Sequence, residues 1–169
     1  MNVRSMTVAV AVSVVALDRV TKAMVEAWLD AYRSVTLVPG LLDLTYVQNP
    51  GGVFGVFKGL EPVWRSVLFT VVPVAAIVLI AVYAWRVPAT QTMTHVALAL
   101  ILGGAVGNLV DRVRLGYVVD FVDVHWRGWH WPAFNVADSA ICVGVGLLLL
   151  ESLRSPAPAA AAPARRDAP

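Results

Sequence analysis

The sequence predicts an all-α membrane protein with four transmembrane helices, a small extramembrane β hairpin or sheet, and an interfacial loop on the outer side. Of its 169 residues, 59% are hydrophobic and only 14% are charged, and the mean hydropathy is +0.73. These values lie outside the range of soluble globular domains. Four segments approach the roughly 20 apolar residues that a spanning helix needs. Between the first two segments, side chains alternate between apolar and polar, as in a β-strand.

The four predicted helices are defined by their charge-free runs. The first run extends from Met6 to Asp18, and the fourth run, residues 131–150, contains only Asp138. The first run also resembles a cleavable signal peptide with Arg4 as its basic end. Against this alternative, polar residues rather than small cleavage-site residues follow it at 18–22. We therefore expect spans at about residues 5–27, 62–85, 92–112 and 132–153.

The extramembrane β region is expected at about residues 36–58. Leu42, Leu44 and Tyr46 alternate with neighbours that are mostly polar, which predicts a strand. Asn49-Pro-Gly-Gly52 then has Pro and Gly where a type II turn needs them, and Val53-Phe-Gly-Val-Phe57 is expected to return as a second strand.

A second extramembrane stretch is expected at residues 116–130. It contains a β-rich segment followed by closely spaced tryptophans that fit an interfacial aromatic belt. His125 and His130 suggest metal ligands as one interpretation, but without a supporting Cys or acidic motif we favour interfacial or surface histidines and expect no metal site. The tail, 155–169, is rich in Pro and Ala and is expected to be disordered, which leaves 1–154 as a single membrane domain.

Charge and cysteine content restrict the possible functions. A formal net charge of +2, with acidic and basic residues evenly mixed, argues against a nucleic-acid partner. The single cysteine, Cys142, excludes an intramolecular disulfide, and as no histidine lies near it in sequence it is expected to be a small buried packing residue. Small residues at helical spacing, Gly103 with Gly107 and Ala140 with Gly144, predict close approach of the third and fourth spans.

The unusual polar residues all fall on one side of the membrane if the four spans are antiparallel. Charged residues at membrane depth are costly and usually functional, so their convergence favours a site over isolated ion pairs or caps. In the extended stretch, Asp120 and Asp123 point to opposite faces, so only one of them can share a cleft with Asp138. The layer comprises Asp18, Lys22, Asn49, Asn108, Asp111, Arg112, Asp120, Asp123, Asn135 and Asp138.

Five motifs along the chain resemble those of the lipoprotein signal peptidase (signal peptidase II) family. Asp18-Arg-Val-Thr-Lys22 resembles the family's D-x-x-T-K element, although Arg19 stands where the family usually has Gln. The others are similar to N-x-G-x-x-F, G-N-x-x-D-R, V-x-D-F and F-N-x-A-D, and all five occur in the family's order between residues 5 and 153. They are found at 48–55, 103–112, 116–123 and 134–138.

The resemblance implies a multi-pass peptidase of the bacterial cytoplasmic membrane, with its active site toward the outer face and both termini cytoplasmic. Its substrates would be prolipoproteins that carry a diacylglyceryl-cysteine, cleaved just before that cysteine. It implies contact with membrane lipid, inhibition by globomycin-type cyclic peptides, and no metal or organic cofactor. The catalytic pair would be Asp120 and Asp138. Supporting or substrate-binding positions would be Asp18, Lys22, Asn49, Asn108, Asp111, Arg112, Asn135 and Ala137.

Two nearby carboxylates suit peptide hydrolysis because they cannot both ionise readily and so retain one proton between them. One can then act as base on water while the other hydrogen-bonds the developing oxyanion; the sequence leaves open which does which. The alternative function is a small proton-coupled transporter, since intramembrane acids also mark such proteins. A transporter predicts polar groups near the midplane and internal repeats, whereas this sequence has its polar groups at one side and no evident repeat.

Overall fold

The computed structural model describes residues 2–51, 59 and 61–154, in which four helices and four strands are found. The predicted strand at 53–57 and the tail at 155–169 lie outside these residues. The elements in chain order are α1 Val3–Trp28, β1 Ser34–Val38, β2 Leu42–Asn49, α2 Pro62–Arg86, α3 Thr92–Leu115, β3 Val118–Trp126, β4 Trp129–His130 and α4 Val136–Arg154.

Three of the four helices are long and apolar enough to cross a membrane by composition alone, namely Val67–Arg86 within α2, Thr92–Leu115 and Val136–Arg154. Helix α1 has 26 residues, but its second half contains several charged side chains. Two of these, Asp18 and Lys22, are completely buried inside the bundle. These two charges therefore lower the mean hydropathy of α1, but neither is exposed on the surface of the bundle.

Helix α3 is the centre of the bundle and packs against α1, α2 and α4. Its glycines make this possible: a Cβ on Gly107 would lie 2.7 Å from Asp18 Oδ2, and one on Gly103 would lie 2.7 Å from Val14 Cβ, both on α1. The predicted close approach of α3 and α4 is found at Gly144, which packs on the Ala97 carbonyl. The Gly103 and Gly107 pair, however, serves mainly the contact with α1, which the sequence interpretation had not identified.

The strands form an antiparallel sheet in the order β1-β2-β3-β4. The predicted strand over residues 42–47 is present as β2, but its hairpin partner is β1, which the sequence analysis had missed. The connecting turn is Val38-Pro39-Gly40-Leu41, closed by a 3.1 Å bond from Leu41 N–H to the Val38 carbonyl, with Gly40 at φ 76°. Proline followed by glycine is the type II turn signal that was available in the sequence.

The stretch expected as an interfacial loop is a β hairpin. Strand β3 pairs with β2, and its continuation reverses into β4 through Arg127 and Gly128, both at positive φ as a two-residue hairpin turn requires. Trp126 and Trp129 flank that turn and are exposed. Val25, Tyr46, Val119 and Phe121 form a buried cluster that attaches the sheet to α1.

Helix α4 begins four residues later than the predicted boundary of 132. Residues 131–134 are instead extended along β3, where Phe134 and Val122 exchange backbone hydrogen bonds of 2.9 and 3.1 Å. This pairing brings Asn135 and the first turn of α4 beside the middle of β3.

Candidate active site

The polar layer predicted from the sequence is present at one end of the bundle, and most of it is buried. Asp18, Lys22, Asp111 and Asn135 have no exposed surface, and Asp120 is 2% exposed. These residues come from α1, α3, β3 and the start of α4. Buried polar groups are stable only when they are hydrogen-bonded or paired, so the contacts among them are a structural necessity.

The ammonium group of Lys22 lies at the centre of this layer. Its Nζ is 2.8 Å from Asp18 Oδ2, 2.8 Å from Asp111 Oδ2 and 3.0 Å from Asn108 Oδ1. An ammonium has three donors, and each has an acceptor here. One side chain thus joins two carboxylates and an amide from α1 and α3.

Two donors fix the orientation of the Asn108 amide, Lys22 Nζ at 3.0 Å and Asn135 Nδ2 at 3.2 Å, both directed at its oxygen. Because the ammonium can only donate, it must face the Asn108 oxygen, which leaves the Asn108 nitrogen to donate to Asp138 Oδ1 at 2.7 Å. Lys22 therefore helps to position the Asp138 carboxylate through the side-chain amide of Asn108.

Asp138 is also part of a reciprocal cap at the start of α4. Asn135 Oδ1 accepts from the Asp138 backbone N–H at 2.9 Å, and Asp138 Oδ2 accepts from the Asn135 backbone N–H at 3.2 Å. This is the geometry of a capping box, with Asn at the cap and a carboxylate three residues later. The adjacent backbone N–H of Ala137 donates to Asp18 Oδ1 at 3.0 Å, so Ala137 acts through its main chain.

Asp120 is held by two amides, one on each oxygen. Asn135 Nδ2 donates to its Oδ1 at 2.7 Å, and Asn49 Nδ2 donates to its Oδ2 at 2.9 Å. The sheet register explains the second bond: Asp120 lies opposite Val47 in β2, and Asn49 is the diagonal neighbour on the same face. Asn135 thus contacts both aspartates, through its side chain to Asp120 and its backbone to Asp138.

The electrostatic environment of Asp120 favours its protonated form. Burial away from water raises the pKa of this carboxyl to about 7, and the nearby charge of Asp138 adds to the rise. The hydrogen bonds from Asn49 and Asn135 oppose it. One carboxyl of the pair therefore retains a proton near neutral pH, which is the condition for acid and base to coexist in one site.

Comparisons with known proteins show which family the chain belongs to. The family model described as signal peptidase (SPase) II matches residues 10–154. The lipoprotein signal peptidase of Geobacter metallireducens is 46% identical over 153 residues, covering 90% of this chain and 93% of that protein. That of Syntrophotalea carbinolica is 47% identical over 145 residues, covering 86% and 89%. A solved structure described as a bacterial membrane enzyme at 1.9 Å resolution has a TM-score of 0.78 and 31% identity, covering 90% of this chain and 95% of that one.

The chain belongs to the signal peptidase II family. The resemblance inferred from the five motifs is thereby confirmed. The alternative of a proton-coupled transporter has no support in these comparisons.

Arg19, where the signal peptidase II family usually has Gln, is the site residue that the sequence analysis missed. Its guanidinium pairs with Asp111 Oδ1, while Asp111 Oδ2 faces Lys22 and also accepts from the Val119 N–H at 3.2 Å. Arg19 and Lys22 are three residues apart and so share a helix face, which was the available signal. Asp111 thus fixes the start of β3, next to Asp120.

Arg112 follows Asp111 in sequence but has different contacts in this signal peptidase II site. Its charge acts on Asp138 and Asp120. The guanidinium lies 5.9 Å from the centre of the Phe69 ring on α2, and its buried Nε has no hydrogen-bonding partner among the described residues. Within the described residues this side chain therefore has a donor without a partner, and its charge is felt by both aspartates.

Asp123 lies on the opposite face of the sheet from Asp120, as the strand period predicts. It contacts His130 at 3.0 Å, and Asp43 contacts His125 at 3.4 Å. The two imidazole rings are stacked with centroids 4.8 Å apart. These four residues form a polar cluster on the face of the sheet opposite to Asp120.

We predict that Asp111→Asn destabilises the protein as well as slowing it. The substitution removes the charge that Lys22 and Arg19 face, and loss of one partner from a buried ion pair costs about 3–5 kcal/mol. Thermal denaturation in detergent should show a large decrease, whereas Asp123→Asn, on the half-exposed face, should change little. An unchanged denaturation temperature with complete loss of turnover would place Asp111 among the catalytic groups.

Proposed function

We propose that this chain is an aspartic endopeptidase that removes the signal peptide from diacylglyceryl-modified prolipoproteins, cleaving just before the lipidated cysteine. Family membership supports the peptidase activity and the substrate class, because the similar proteins from Geobacter and Syntrophotalea are lipoprotein signal peptidases. The observation that carries the aspartic mechanism is the pair of carboxylates, Asp120 and Asp138, connected through Asn135.

The two aspartates have different surroundings, and this difference suggests their roles. Asp120 is the more buried, and its raised pKa of about 7 makes it the holder of the proton. Asp138 lies in the first turn of α4, where the helix dipole favours a negative charge, and it accepts bonds from Asn108 and the Asn135 backbone. We therefore assign Asp138 as the base and Asp120 as the acid in the free enzyme.

The proposed reaction follows from this assignment. Asp138 takes a proton from water while the water oxygen bonds to the scissile carbonyl carbon. Asp120 stabilises the developing oxyanion with its proton. When the carbon–nitrogen bond breaks, a proton passes to the leaving amine, which becomes the amino group of the lipidated cysteine, and the signal peptide leaves with a new carboxyl group. The unused donor of Arg112 is placed to bind a substrate carbonyl near the pair, and globomycin-type cyclic peptides would compete there.

The proposed topology has all four helices crossing the cytoplasmic membrane, with both termini cytoplasmic and the aspartates near the outer face. Helix α1, at 26 residues, is about 39 Å long, enough to span. Its buried charges face α3, while Val8, Val12, Leu17, Val20 and Met24 are exposed. In this arrangement the substrate's acyl chains remain in lipid while water enters from the sheet side.

We predict that Asp120→Asn and Asp138→Asn each abolish cleavage, whereas Asp123→Asn is mild. Asn preserves the shape and some hydrogen bonds but can neither accept the proton of water nor share one. Because the two groups act as a unit, the double variant should be little worse than either single variant. The measurement is single-turnover cleavage of a diacylglyceryl-modified preprotein, with the unlipidated preprotein as the substrate control. Substantial cleavage by Asp138→Asn would refute the pair.

We also predict a loss of kcat/KM on the alkaline side, with an apparent pKa of about 7 that belongs to the pair. The reason is that Asp120 loses the proton it must hold. The free energy of unfolding should also depend on the protonation of Asp120. The pKa of Asp120 is about 7 in the folded protein against a reference value of 3.8, so the folded state binds more protons than the unfolded state between these pH values. The contribution of Asp120 to the free energy of unfolding is therefore complete below pH 3.8 and is lost as the pH rises through about 7.

The Asp120→Asn variant provides the control for the measurement of stability against pH. Its free energy of unfolding should lack this decline, so the difference between wild type and variant should change between about pH 4 and 7. A wild-type profile that is flat over that interval, with activity rising above pH 8, would contradict the assignment of the proton to Asp120.

A further inference from the structure

The end of the bundle opposite the aspartates has a groove that the proposed function does not use. The groove encloses about 200 Å³ between α1, α2 and α3, and most of its lining residues are apolar. A second cavity of about 250 Å³ is lined by the first turn of α1 and the start of the α2–α3 connection. Arg4 lines both cavities, so the two cavities adjoin at one cation.

His95, on α3, is a buried polar group that lines the apolar groove. It is 1% exposed, and its Nδ1 lies 3.2 Å from Thr7 Oγ1. The Thr7 hydroxyl uses its single hydrogen on the Val3 carbonyl at 2.9 Å, so it must accept from His95 Nδ1–H. Nε2 is therefore the position left for a ligand, whether the ring is neutral or protonated.

That Nε2 atom is buried and has no hydrogen-bonding partner in the described part of the chain. Leaving a buried ring nitrogen unsatisfied is costly, and such groups in native proteins call for an explanation such as a bound ligand. Its residue lines a groove that opens beside a cation, so a ligand with both a polar and an apolar part fits the position.

Arg4 determines the charge of that ligand. Its side chain is exposed, and its guanidinium stacks on the Trp85 ring with 4.3 Å between Cζ and the ring centroid. Stacking occupies the flat face of the guanidinium and leaves its edge donors available to a phosphate or carboxylate. The first turn of α1 contains no acidic residue, and its helix dipole also favours an anion.

We propose that this end of the bundle binds an anionic phospholipid. The phosphate lies against Arg4 and the first turn of α1, His95 Nε2 faces a polar group of the same lipid, and one acyl chain follows the groove to Leu102. Leu102 lies seven residues along α3 from His95, which places it about 10 Å deeper. The groove distinguishes a lipid from free phosphate, because only a lipid fills it. With the topology proposed above, the lipid belongs to the inner leaflet.

The test is native mass spectrometry of the delipidated full-length protein with dioleoyl phosphatidylglycerol or dioleoyl phosphatidylcholine. We expect preferential retention of phosphatidylglycerol by the wild type and about fivefold weaker retention by Arg4→Gln. Arg154→Gln, which removes another exposed arginine from the same end, is the matched control and should bind as the wild type does. Ala81→Trp, which fills the groove, should lose both lipids. Glycerol 3-phosphate, a headgroup without chains, should not bind.

Equal retention of the two lipids by the wild type would overturn the proposal, as would equal losses in Arg4→Gln and Arg154→Gln. Binding of glycerol 3-phosphate as tight as that of the lipid would show a phosphate site instead. The assay contains no preprotein, so its outcome is independent of the peptidase mechanism. Cleavage by Arg4→Gln in detergent should match the wild type, since Arg4 lies at the far end of α1 from the aspartates.

Discussion

The structure depends above all on the buried ammonium of Lys22. It holds Asp18 and Asp111 as ion partners and Asn108 as a hydrogen-bond partner, and Arg19 adds a second cation to Asp111. Two carboxylates and two cations balance within the cluster, which makes burial at membrane depth tolerable. Each carboxylate also accepts a backbone N–H from another element, Ala137 at the start of α4 and Val119 in β3. The cluster therefore fixes the two segments that carry the aspartates.

Two neutral amide side chains connect this cluster to Asp120 and Asp138, the carboxyls of the proposed pair, and so fix their positions without adding charge. Asn108 is turned by Lys22 so that its nitrogen faces Asp138, and Asn135 connects Asp138 to Asp120. Neutral amides contact Asp120 directly and lower its pKa less than burial raises it, whereas Lys22 acts on this carboxyl only through its charge. Burial thus favours the protonated form of Asp120, the amide contacts fix its position, and the ion cluster provides rigidity.

The sequence predicted the helices and the polar layer well, because both follow from local pattern. Four apolar runs and antiparallel order are enough to bring Asp18, Asn108 and Asp138 to one side. The period of a strand was enough to separate Asp120 from Asp123. What it did not predict was non-local: β2 pairs with β3, far along the chain, and this pairing places Asn49 against Asp120. The contact of Arg19 was likewise not predicted: its spacing from Lys22 indicates a shared helix face, but its partner Asp111 lies on another helix.

The most direct test removes Lys22 together with Asp18, one of the two carboxylates whose charge it balances. The variant Lys22→Met with Asp18→Asn removes one cation and one anion together, so the cluster stays neutral while Asn108 Oδ1 loses the Lys22 donor and keeps only the 3.2 Å bond from Asn135 Nδ2. Compared with Asp18→Asn alone, the double variant should remain folded and helical in detergent, but its single-turnover cleavage rate should fall by roughly 10²-fold because Asp138 is misplaced. A double variant that is folded and cleaves at nearly the rate of Asp18→Asn would show that the aspartates are positioned without Lys22.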